Sequence, residues 1–581
     1  MKLKENLKII GKLKEKKAGW YILRLLAAFV SSVLFAAAFA QDMFTQKEFY
    51  SAINFPLFIV SSIALFILFC FIKKDKYVLL LLIGLSQIYC MFTAVQIRNY
   101  MFSFGLCAVM FIIVFFFDFP FDTSASLGRL KWIMCALLIG LYTLYVGGLC
   151  CVYYRTYRTP CFDFGLFAQM FYYMKETGRC LITCERDKLL SHFAVHFSPI
   201  YYLLLPLYFI LPSPCTLLVS QAFIVASAAI PLMLLCRHFK LSDTAALIFV
   251  SLLILYPSFM GGCFWYLHEN CFLTPLLLWL MYFFEKDRFG FIAAFALLTL
   301  FVKEDAAVYV AVVSLYYIFA KKNYKCSATV FLFSVVYFVV VTKCMNAFGE
   351  GIMSNSRYGN YIYDGGGLFS VIKAVLQNPA YAVLQIFTQE KLIFMLQMLV
   401  GLSFLPFAVK KPSKLLLFIP LVLVNLMTSY SYQFDIGFQY TFGSGALLFY
   451  LAVSNYSDLG ENRNKLLCSA VLSSLILFSG GYLKKTSALF EAENNRQTAE
   501  IIDEALALIP DDASVLASTF LLANVSQRKE LYEIERTSHR AEYIAGDLRN
   551  GRVFPMEEYL NEGYEIIFYE EGIVAVLMFD P

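Results

Sequence analysis

Long apolar runs, separated by short charged segments, extend along most of the chain, and their lengths predict helices that cross a membrane. A span needs ~20 apolar residues. The first run, Gly19 to Ala40, has about this length and follows a basic stretch from Lys2 to Lys17. Because cytoplasmic segments of membrane proteins carry an excess of Lys and Arg, we expect this stretch to be cytoplasmic. Further candidate spans cover residues 53–72, 77–97, 100–117, 132–153, 215–235, 241–260, 271–284, 289–302, 306–320, 326–341, 392–409, 415–429, 443–454 and 466–483.

Basic residues cluster in alternate segments between these runs, which predicts the side of the membrane on which each segment lies. On this pattern the segments 154–192 and 343–389 are extracytoplasmic loops. The short run 197–211 contains Pro206 and ends at Pro212, so we expect a partial or re-entrant segment rather than a span. The predicted parts are a cytoplasmic basic N-terminus (1–18), extra transmembrane helices (19–131), a transmembrane core (132–489) and an extracytoplasmic domain (490–581).

The C-terminal segment differs from the rest of the chain in charge and in pattern. From residue 490 onward there are 19 Asp and Glu residues against 7 Lys and Arg residues, a net charge of −12 in a chain whose total is +5. Helical spacing of apolar residues predicts a helix over 491–508, which ends before Pro510. Short β-like runs follow at 514–517 and 530–534, with a hairpin expected over 564–579. We predict a small, separate α/β domain exposed to water.

Composition agrees with a membrane protein and excludes several classes. Hydrophobic residues make up 60% of the chain, charged residues 15%, and the mean hydropathy is +0.67. A soluble interior could not hide so much apolar surface, so a soluble enzyme, a fibrous protein and a disordered protein are excluded. The basic residues lie in short clusters between spans, which gives no indication of nucleic-acid binding. All 16 cysteines stand at or before Cys468, so the C-terminal domain has no disulfide framework.

Three consecutive charged residues, Lys303, Glu304 and Asp305, stand between two apolar runs without a Gly or Pro to mark a loop. A charge at the bilayer centre costs ~2.5–3.5 kcal/mol on insertion scales, so the three must lie at an interface or line a wet cavity. A tight turn with snorkelling ends is the alternative. In a cavity, Lys303 would bind a phosphate, and Glu304 or Asp305 would hold the lysine or a metal.

The first extracytoplasmic loop contains a second candidate. Asp163 opens an aromatic amphipathic stretch, as a helix N-cap would. It also lies close in sequence to Arg155 and Arg158. A carboxylate beside two cations fits a general base that acts on an anionic lipid substrate held next to it. The two interpretations are compatible, so Asp163 is the candidate catalytic residue, and Arg155 and Arg158 are candidate phosphate-binding residues.

Histidines and acidic residues provide a possible metal set. His192 and His196 are four residues apart, and His268 precedes Glu269. Since no third or fourth ligand stands at a fixed spacing, the pattern does not favour a dedicated zinc site. His196, His268 and Glu269 are therefore expected to line a substrate cavity, with a divalent cation left open as a cofactor.

Two further extracytoplasmic segments have the composition of binding loops. Residues 346–367 include Arg357 and a Gly-Gly-Gly sequence, and residues 430–440 are rich in Tyr and Gln. A long polar segment suits a lid or a binding loop, and a plain mobile loop is equally allowed. No Walker A, Rossmann or hydrolase-elbow pattern occurs, which argues against chemistry on soluble nucleotides.

Five short motifs in a fixed order resemble a known family. They are FDFGLFAQ (162–169), HFSP (196–199), LPSP (211–214), LHE (267–269) and VKED (302–305). This set is similar to a family of prokaryotic polytopic membrane proteins known only as domain of unknown function family 2079. The similarity extends from about Trp132 to the C-terminus, so it leaves the first four spans without a role.

That family in turn resembles the GT-C glycosyltransferases, which implies an all-α polytopic membrane fold with a small α/β extracytoplasmic domain. The resemblance implies a sugar donor linked to polyprenyl phosphate and Asp163 as the base that deprotonates an acceptor hydroxyl. The acceptor would be an envelope glycan, lipid or protein, reached from the extracytoplasmic face. The superfamily often has two acidic residues in this loop, whereas here Asp163 has no adjacent partner and Asp187 stands far along the loop.

Two alternatives to a glycosyltransferase remain. A transporter or flippase for a lipid-linked sugar would use the same charges at membrane depth without breaking a bond. A non-catalytic envelope scaffold would use the C-terminal domain to recruit partners.

Overall fold

A computed structural model describes residues 17–39, 55–75, 77–79, 81–82, 84–85, 100–116, 121–159, 162–321, 324–351, 354–362, 366–552 and 554–579. The basic N-terminal stretch and most of the candidate span 77–97 lie outside these residues. The chain divides into two compact units. One comprises residues 1–123, 399–404 and 459–485, and the other comprises 124–398, 405–458 and 486–581.

In the smaller unit, a buried polar side chain links the first two apolar helices. The α-helices given by its described residues include Lys17–Phe39, Phe55–Phe71, Tyr100–Phe116 and Arg463–Gly481. The buried guanidinium of Arg24 donates to the backbone oxygens of Phe69 and Ile72 and pairs with Asp75 at 2.9 Å, which links the first two helices. The helix Arg463–Gly481, which covers most of the last candidate span (466–483), lies in this unit.

The larger unit contains most of the helices. Its α-helices up to residue 458 are Leu130–Tyr142, Gly148–Arg155, Phe162–Thr177, Leu205–Ile210, Pro214–Ser227, Ala229–His238, Asp243–Ile254, Pro257–Phe264, Leu273–Glu285, Phe289–Leu300, Ala306–Lys321, Tyr324–Phe348, Ser354–Arg357, Gly367–Gln377, Pro379–Ile386, Gln389–Val400 and Phe442–Asp458. Among the described residues of the chain, five helices are long and apolar enough to cross a membrane: Leu130–Arg155, Pro214–His238, Asp243–Phe264, Tyr324–Phe348 and Arg463–Gly481. The chain is thus a multi-pass helical membrane protein, as its hydropathy predicts.

Several candidate segments fold differently from a straight span. Residues 199–210 form a 3-10 turn and the short helix Leu205–Ile210, so this run is no span, as expected. The run 415–429 becomes the 3-10 segment Pro412–Phe418 and the π-helical segment Leu421–Leu426, with Pro420 between them. A proline removes one backbone donor and disrupts regular helix, which accounts for this break.

The segment 343–389 is less polar and more helical than a binding loop. The helix Tyr324–Phe348 continues into it, and Gly367–Gln377 and Pro379–Ile386 follow with a bend of 104° between them. Together this pair is apolar enough to form a broken span or a re-entrant loop. Pro379 starts the second helix, and Asn378 caps it by accepting a hydrogen bond from the Tyr381 amide.

The C-terminal domain is α/β, as predicted, and it rests on residues of the segment 154–192. Strands β1 (Leu181–Ile182) and β2 (Leu190–Ser191) form a hairpin within that segment. The domain itself contains helices Ser487–Asn494, Arg496–Leu506, Thr519–Leu522 and Met556–Asn561 and strands β3 (Val515–Ala517), β4 (Leu531–Glu533), β5 (Tyr543–Asp547), β6 (Tyr564–Glu570) and β7 (Val574–Phe579). The sheet order is β4-β3-β5-β7-β6, in which β3 is parallel to β4 and β5 while β7 is antiparallel to β5 and β6.

Two details of this domain differ from the expectation. The helix predicted over 491–508 is two helices that meet at Asn495, and strand β5 was not anticipated. The domain is also not a separate body, because it clusters with the transmembrane helices of the larger unit. Tyr157 of the segment 154–192 is buried in the hydrophobic core of the domain.

Candidate functional site

Asp163 and His268, which are far apart in sequence, lie side by side. The helix Phe162–Thr177 begins one residue before Asp163, so this carboxylate stands in the first turn and not at the N-cap position. Its side chain is 43% exposed, and Oδ2 lies 3.4 Å from Nε2 of the buried His268. The backbone amide of His268 donates to the Gln221 side-chain oxygen at 2.8 Å. This contact fixes the segment that carries the imidazole.

Glu269 extends this contact into the interior. The side chain is 1% exposed, and its Oε1 lies 3.0 Å from Nζ of Lys303. Its Oε2 accepts a hydrogen bond of 2.7 Å from the Tyr201 hydroxyl, which in turn accepts from the Glu269 amide at 2.9 Å. Both oxygens of this buried carboxylate are therefore satisfied, as a buried charge requires.

The three charged residues Lys303, Glu304 and Asp305 lie between the helices Phe289–Leu300 and Ala306–Lys321, and they are not a solvated turn. Lys303 is 5% exposed and Glu304 is 9% exposed. Glu304 Oε1 lies 3.0 Å from Nδ1 of His196, and its Oε2 accepts from the Phe197 amide at 3.2 Å. Oδ1 of Asp305 is buried and makes no hydrogen bond within the described residues. The snorkelling-turn alternative is therefore wrong.

Burial and neighbouring charges shift the pKa values of these side chains in different directions. Burial raises the pKa of Glu269, but the Lys303 charge and the nearby histidines outweigh it and hold this pKa well below its usual value. Burial lowers the pKa of Lys303, but Glu269 and the neighbouring acids hold it above its usual value. Burial raises the pKa of Asp305 to about 6. For Asp163, burial also raises the pKa, but its hydrogen bond to His268 and the charge of that ring bring the pKa below its ordinary value.

A cavity of about 140 Å³ opens beside this group and combines charges with apolar walls. Lys303, Asp305 and Arg357 supply charged side chains to its lining, and Phe338, Leu368 and Leu423 supply apolar ones. Such a lining suits an amphiphile with an anionic head and a hydrocarbon tail.

Arg357 was not among the predicted site residues. Its guanidinium lies 3.6 Å from the ring centroid of Tyr430 and 5.2 Å from that of Tyr440, and it donates to the Tyr440 hydroxyl at 3.1 Å. The Tyr440 ring also lies 5.9 Å from Nζ of Lys303. The segments 346–367 and 430–440 thus meet at this cavity. The sequence offers only their polar and aromatic composition as a signal for this pairing.

Arg155 and Arg158 do not line this cavity, and their role in phosphate binding stays a prediction. The spanning helix ends at Arg155, whose side chain is exposed there. The chain then turns at Tyr157 with a φ of 54°. Arg158 is thereby directed toward the C-terminal domain, where it forms an ion pair with Glu491 and lies 5.5 Å from the Tyr153 ring.

Within the described part of the chain, no group of three or more His, Cys, Asp or Glu side chains is arranged to hold a metal ion. His192 and His196 have ring centroids 6.0 Å apart, and His196 is engaged with Glu304. A divalent cation remains an expectation from the sequence alone.

Comparison with known proteins identifies one family and several remote structures. The family described as predicted membrane protein (DUF2079) matches residues 156–560, more than half of the chain, and it is the family that the five motifs predict. No curated protein matches the sequence.

Solved structures similar to this chain include the arabinofuranosyltransferase AftD from Mycobacteria, with 11% identity and a TM-score of 0.44; the match covers 80% of this chain and 41% of that one. ArnT from Cupriavidus metallidurans bound to undecaprenyl phosphate has 10% identity and a TM-score of 0.45, with 76% and 99% covered. The apo state of the same ArnT has 10% identity and a TM-score of 0.40, with 83% and 99% covered. This chain therefore spans less than half the length of AftD.

Proposed function

This chain belongs to the DUF2079 family of predicted membrane proteins, and we propose that it is a membrane glycosyltransferase. In this proposal it moves a sugar from a polyprenyl-phosphate donor to an envelope acceptor on the extracytoplasmic face. The observation that carries the proposal is the continuous set of contacts from the half-exposed Asp163 through His268 and Glu269 to Lys303 and its cavity. A candidate base, a buried cation and an apolar wall are brought together from three distant segments.

Each group has a defined role in the transfer. Asp163 accepts the proton of an acceptor hydroxyl, and the hydroxyl oxygen attacks the anomeric carbon of the donor sugar. The bond from that carbon to the phosphate oxygen breaks, and polyprenyl phosphate leaves with one more negative charge than it had in the donor. Lys303 and Arg357 neutralise this charge where it develops, which is the kind of interaction that accelerates group transfer. Attack from the opposite side of the ring inverts the anomeric configuration.

The neighbouring residues position these groups. His268 contacts Asp163 through Nε2, while its Nδ1 lies 3.3 Å from the Tyr266 carbonyl oxygen, so the ring is held on both sides. Glu269 holds Lys303 at the cavity, and His196 holds Glu304. The apolar lining from Phe338, Leu368 and Leu423 supports a place for the first isoprenoid units of the donor.

The experiment uses purified full-length protein, radiolabelled lipid-linked sugars and a pool of envelope acceptors, with transfer followed by chromatography. Arg357→Gln is expected to lower the transfer rate at least 10²-fold, because a donor that neutralises transition-state charge contributes this much. Arg158→Gln is the matched control and is expected to retain the wild-type rate, since Arg158 pairs with Glu491 outside the cavity. Equal loss of transfer in both variants, or in neither, would contradict the proposed phosphate site.

One observation favours the alternative of a transporter or flippase. The helices Gly367–Gln377 and Pro379–Ile386 meet at a bend of 104°, and broken helices of this kind occur at the binding sites of transporters. Proteoliposomes that translocate a lipid-linked sugar without transferring it would decide for this alternative. A scaffold without catalysis predicts neither activity, and it predicts that neutral substitutions at Lys303 and Asp305 leave the envelope phenotype intact.

A further inference from the structure

The membrane-spanning helices Leu130–Arg155 and Pro214–His238 approach each other closely at one glycine. A methyl group added at Gly147 would lie 3.1 Å from Cα of Val219 and 3.4 Å from Cβ of Ala222, which is closer than side chains usually pack. A residue without a side chain lets the two backbones come this near, as small residues do at contacts between membrane helices. The residues next to Gly147 along the same helix face are therefore close to the second helix.

The register of this contact places Cys151 opposite Cys215. Residues four apart lie on the same face of a helix. Cys151 follows Gly147 by one turn, and Cys215 precedes Val219 by one turn. Because the predicted topology makes the two helices antiparallel, the two cysteines face each other across the contact. Sγ of Cys151 lies 3.8 Å from the carbonyl oxygen of Cys215, and the two side chains share a hydrogen bond.

A cation stands beside one of these two thiols. Arg155 lies one turn after Cys151, where its helix ends, and its side chain is exposed. The guanidinium donates a hydrogen bond to the sulfur of Cys215. The thiolate is the nucleophilic form of a cysteine, and a neighbouring arginine favours the thiolate. The pair thus consists of one activated sulfur and one partner sulfur, and Arg155, which does not line the cavity beside Lys303, has a defined contact here.

Both sulfurs are accessible, unlike those of a second close pair on the same helix. Cys151 and Cys215 are half-buried. They stand at helix ends that the sequence predicts to be extracytoplasmic, where disulfides form and persist. The adjacent Cys150 contacts a different helix: its Sγ lies 3.6 Å from the carbonyl oxygen of Cys263, and both residues are at most 2% exposed. Only the first pair therefore combines closeness with access to a reagent and a neighbouring cation.

We propose that Cys151 and Cys215 are a redox-active pair that thiol–disulfide exchange converts into a disulfide. The Cys215 thiolate attacks one sulfur of an oxidant that is itself a disulfide, which forms a mixed disulfide and releases one thiolate. The Cys151 sulfur gives up its proton, attacks the sulfur of Cys215 and releases the second thiolate. Two cysteine thiols are thereby oxidised with loss of two protons, and the oxidant is reduced to two thiols. The new bond closes a loop over the segment 152–214, which contains Asp163, and it forms whether or not the chain transfers sugars.

The test uses purified full-length protein, oxidised with glutathione disulfide at pH 7 and compared with protein reduced by dithiothreitol. Free thiols are blocked in denaturant and counted, and unreduced peptides are mapped by mass spectrometry. Oxidised wild type should lose two thiols and yield a cross-linked peptide that contains Cys151 and Cys215. Because the bond joins residues 64 apart, the midpoint of thermal unfolding should rise by at least ~3 °C. Cys150→Ala is the matched control and should keep the cross-link and the rise, whereas Cys215→Ser should lose both.

Arg155→Gln separates the activation of the thiol from the packing of the helices. Disulfide formation in this variant should be at least about fivefold slower than in wild type at pH 7 and equally fast at pH ~9.5, where a free thiol ionises without help. Equal rates at pH 7 would overturn the role of Arg155. An unchanged thiol count in oxidised wild type, or a cross-link that joins other cysteines instead, would overturn the redox pair, and this mapping does not depend on the folding of any variant.

Discussion

At the residue scale, the three consecutive charges Lys303, Glu304 and Asp305 have three different environments. Lys303 pairs with Glu269, and Glu304 pairs with His196, so both charges are compensated. Asp305 has one buried oxygen without a hydrogen bond, and burial raises its pKa to about 6. Ionising Asp305 at neutral pH therefore costs the folded protein free energy. Such a destabilising charge is typical of a functional site rather than of a residue that stabilises the fold.

Asp305→Asn should stabilise the protein at pH 7.5 and have little effect at pH 4. Because the folded-state pKa is raised, the contribution of Asp305 to stability is present below its ordinary pKa of 3.8 and is lost as the pH rises through about 6. The free energy of unfolding of the variant should exceed that of wild type by up to ~3 kcal/mol at pH 7.5 and by less than ~1 kcal/mol at pH 4. Thermal unfolding at both pH values measures it. Asp512→Asn, at an exposed turn, should show no such pH dependence; a variant that is less stable than wild type at pH 7.5 would refute the assigned environment.

Part of the site could be predicted from residue types alone. Charges that the membrane makes costly pointed to Lys303, and a carboxylate at a loop boundary pointed to Asp163. Arg357 could not be found in this way, because nothing local distinguishes it from other loop arginines. Its place depends on stacking against Tyr430 and Tyr440, which are more than seventy residues away. Arg158 was predicted from its closeness to Asp163 in sequence, whereas in the structure the chain turns at Tyr157 and Arg158 pairs with Glu491.

At the scale of elements, the apolar runs predicted most helices correctly. They failed where prolines and close packing determine the local backbone conformation. Pro379 and Pro412 begin segments that are bent or 3-10 where the hydropathy pattern is still that of a membrane segment. The two-helix start of the C-terminal domain and strand β5 also escaped prediction, because β5 is short and almost fully buried and so shows no alternation.

Gly165→Ala should loosen the contact between the helix Phe162–Thr177 and the C-terminal domain. A methyl group at this position would lie 2.8 Å from Cδ2 of Leu522 in the helix Thr519–Leu522, which is too close without a shift. The expected loss of stability is ~1–3 kcal/mol, as for overpacking in a core. Limited proteolysis and thermal unfolding both report it.

Gly148→Ala is the matched control, because it is also helical and a methyl group there meets nothing within 4 Å. Alanine is the better helix former, so this control should be neutral or stabilising by up to ~1 kcal/mol. Leu522→Ala should offset part of the Gly165→Ala effect in the double variant, since it removes the atoms that clash. Additive losses would mean that the two residues do not touch.

At the scale of the whole molecule, the C-terminal domain was foreseen but its attachment was not. Its acidic charge and short strands distinguish it from the apolar helices, and this difference predicted an independent domain. The structure places it in one compact unit with the transmembrane helices from residue 124 onward. Single side chains such as Tyr157 and Thr183 make the contacts responsible. Their partners lie over 300 residues away in sequence, so no local sequence pattern predicts these contacts.

The orientation in the membrane is a prediction that surface labelling tests. In a background with the exposed Cys344 replaced by Ser, Glu571→Cys places a thiol in the exposed hairpin turn of the C-terminal domain. A membrane-impermeant maleimide should label it in intact cells. Lys286→Cys, between the helices Leu273–Glu285 and Phe289–Leu300, should be labelled only after lysis. The reverse pattern would put the C-terminal domain in the cytoplasm and exclude an extracytoplasmic acceptor.

The most direct measurement of the central claim is the rate of sugar transfer by Asp163→Asn compared with wild type. The amide cannot accept the acceptor proton, so the rate should fall by ~10²–10⁴-fold, the usual contribution of a general base. Asp512→Asn should transfer at the wild-type rate, and thermal unfolding should show that both variants are folded. Full transfer activity in folded Asp163→Asn would contradict the assignment of Asp163 as the base and, with it, the mechanism built on its contact with His268.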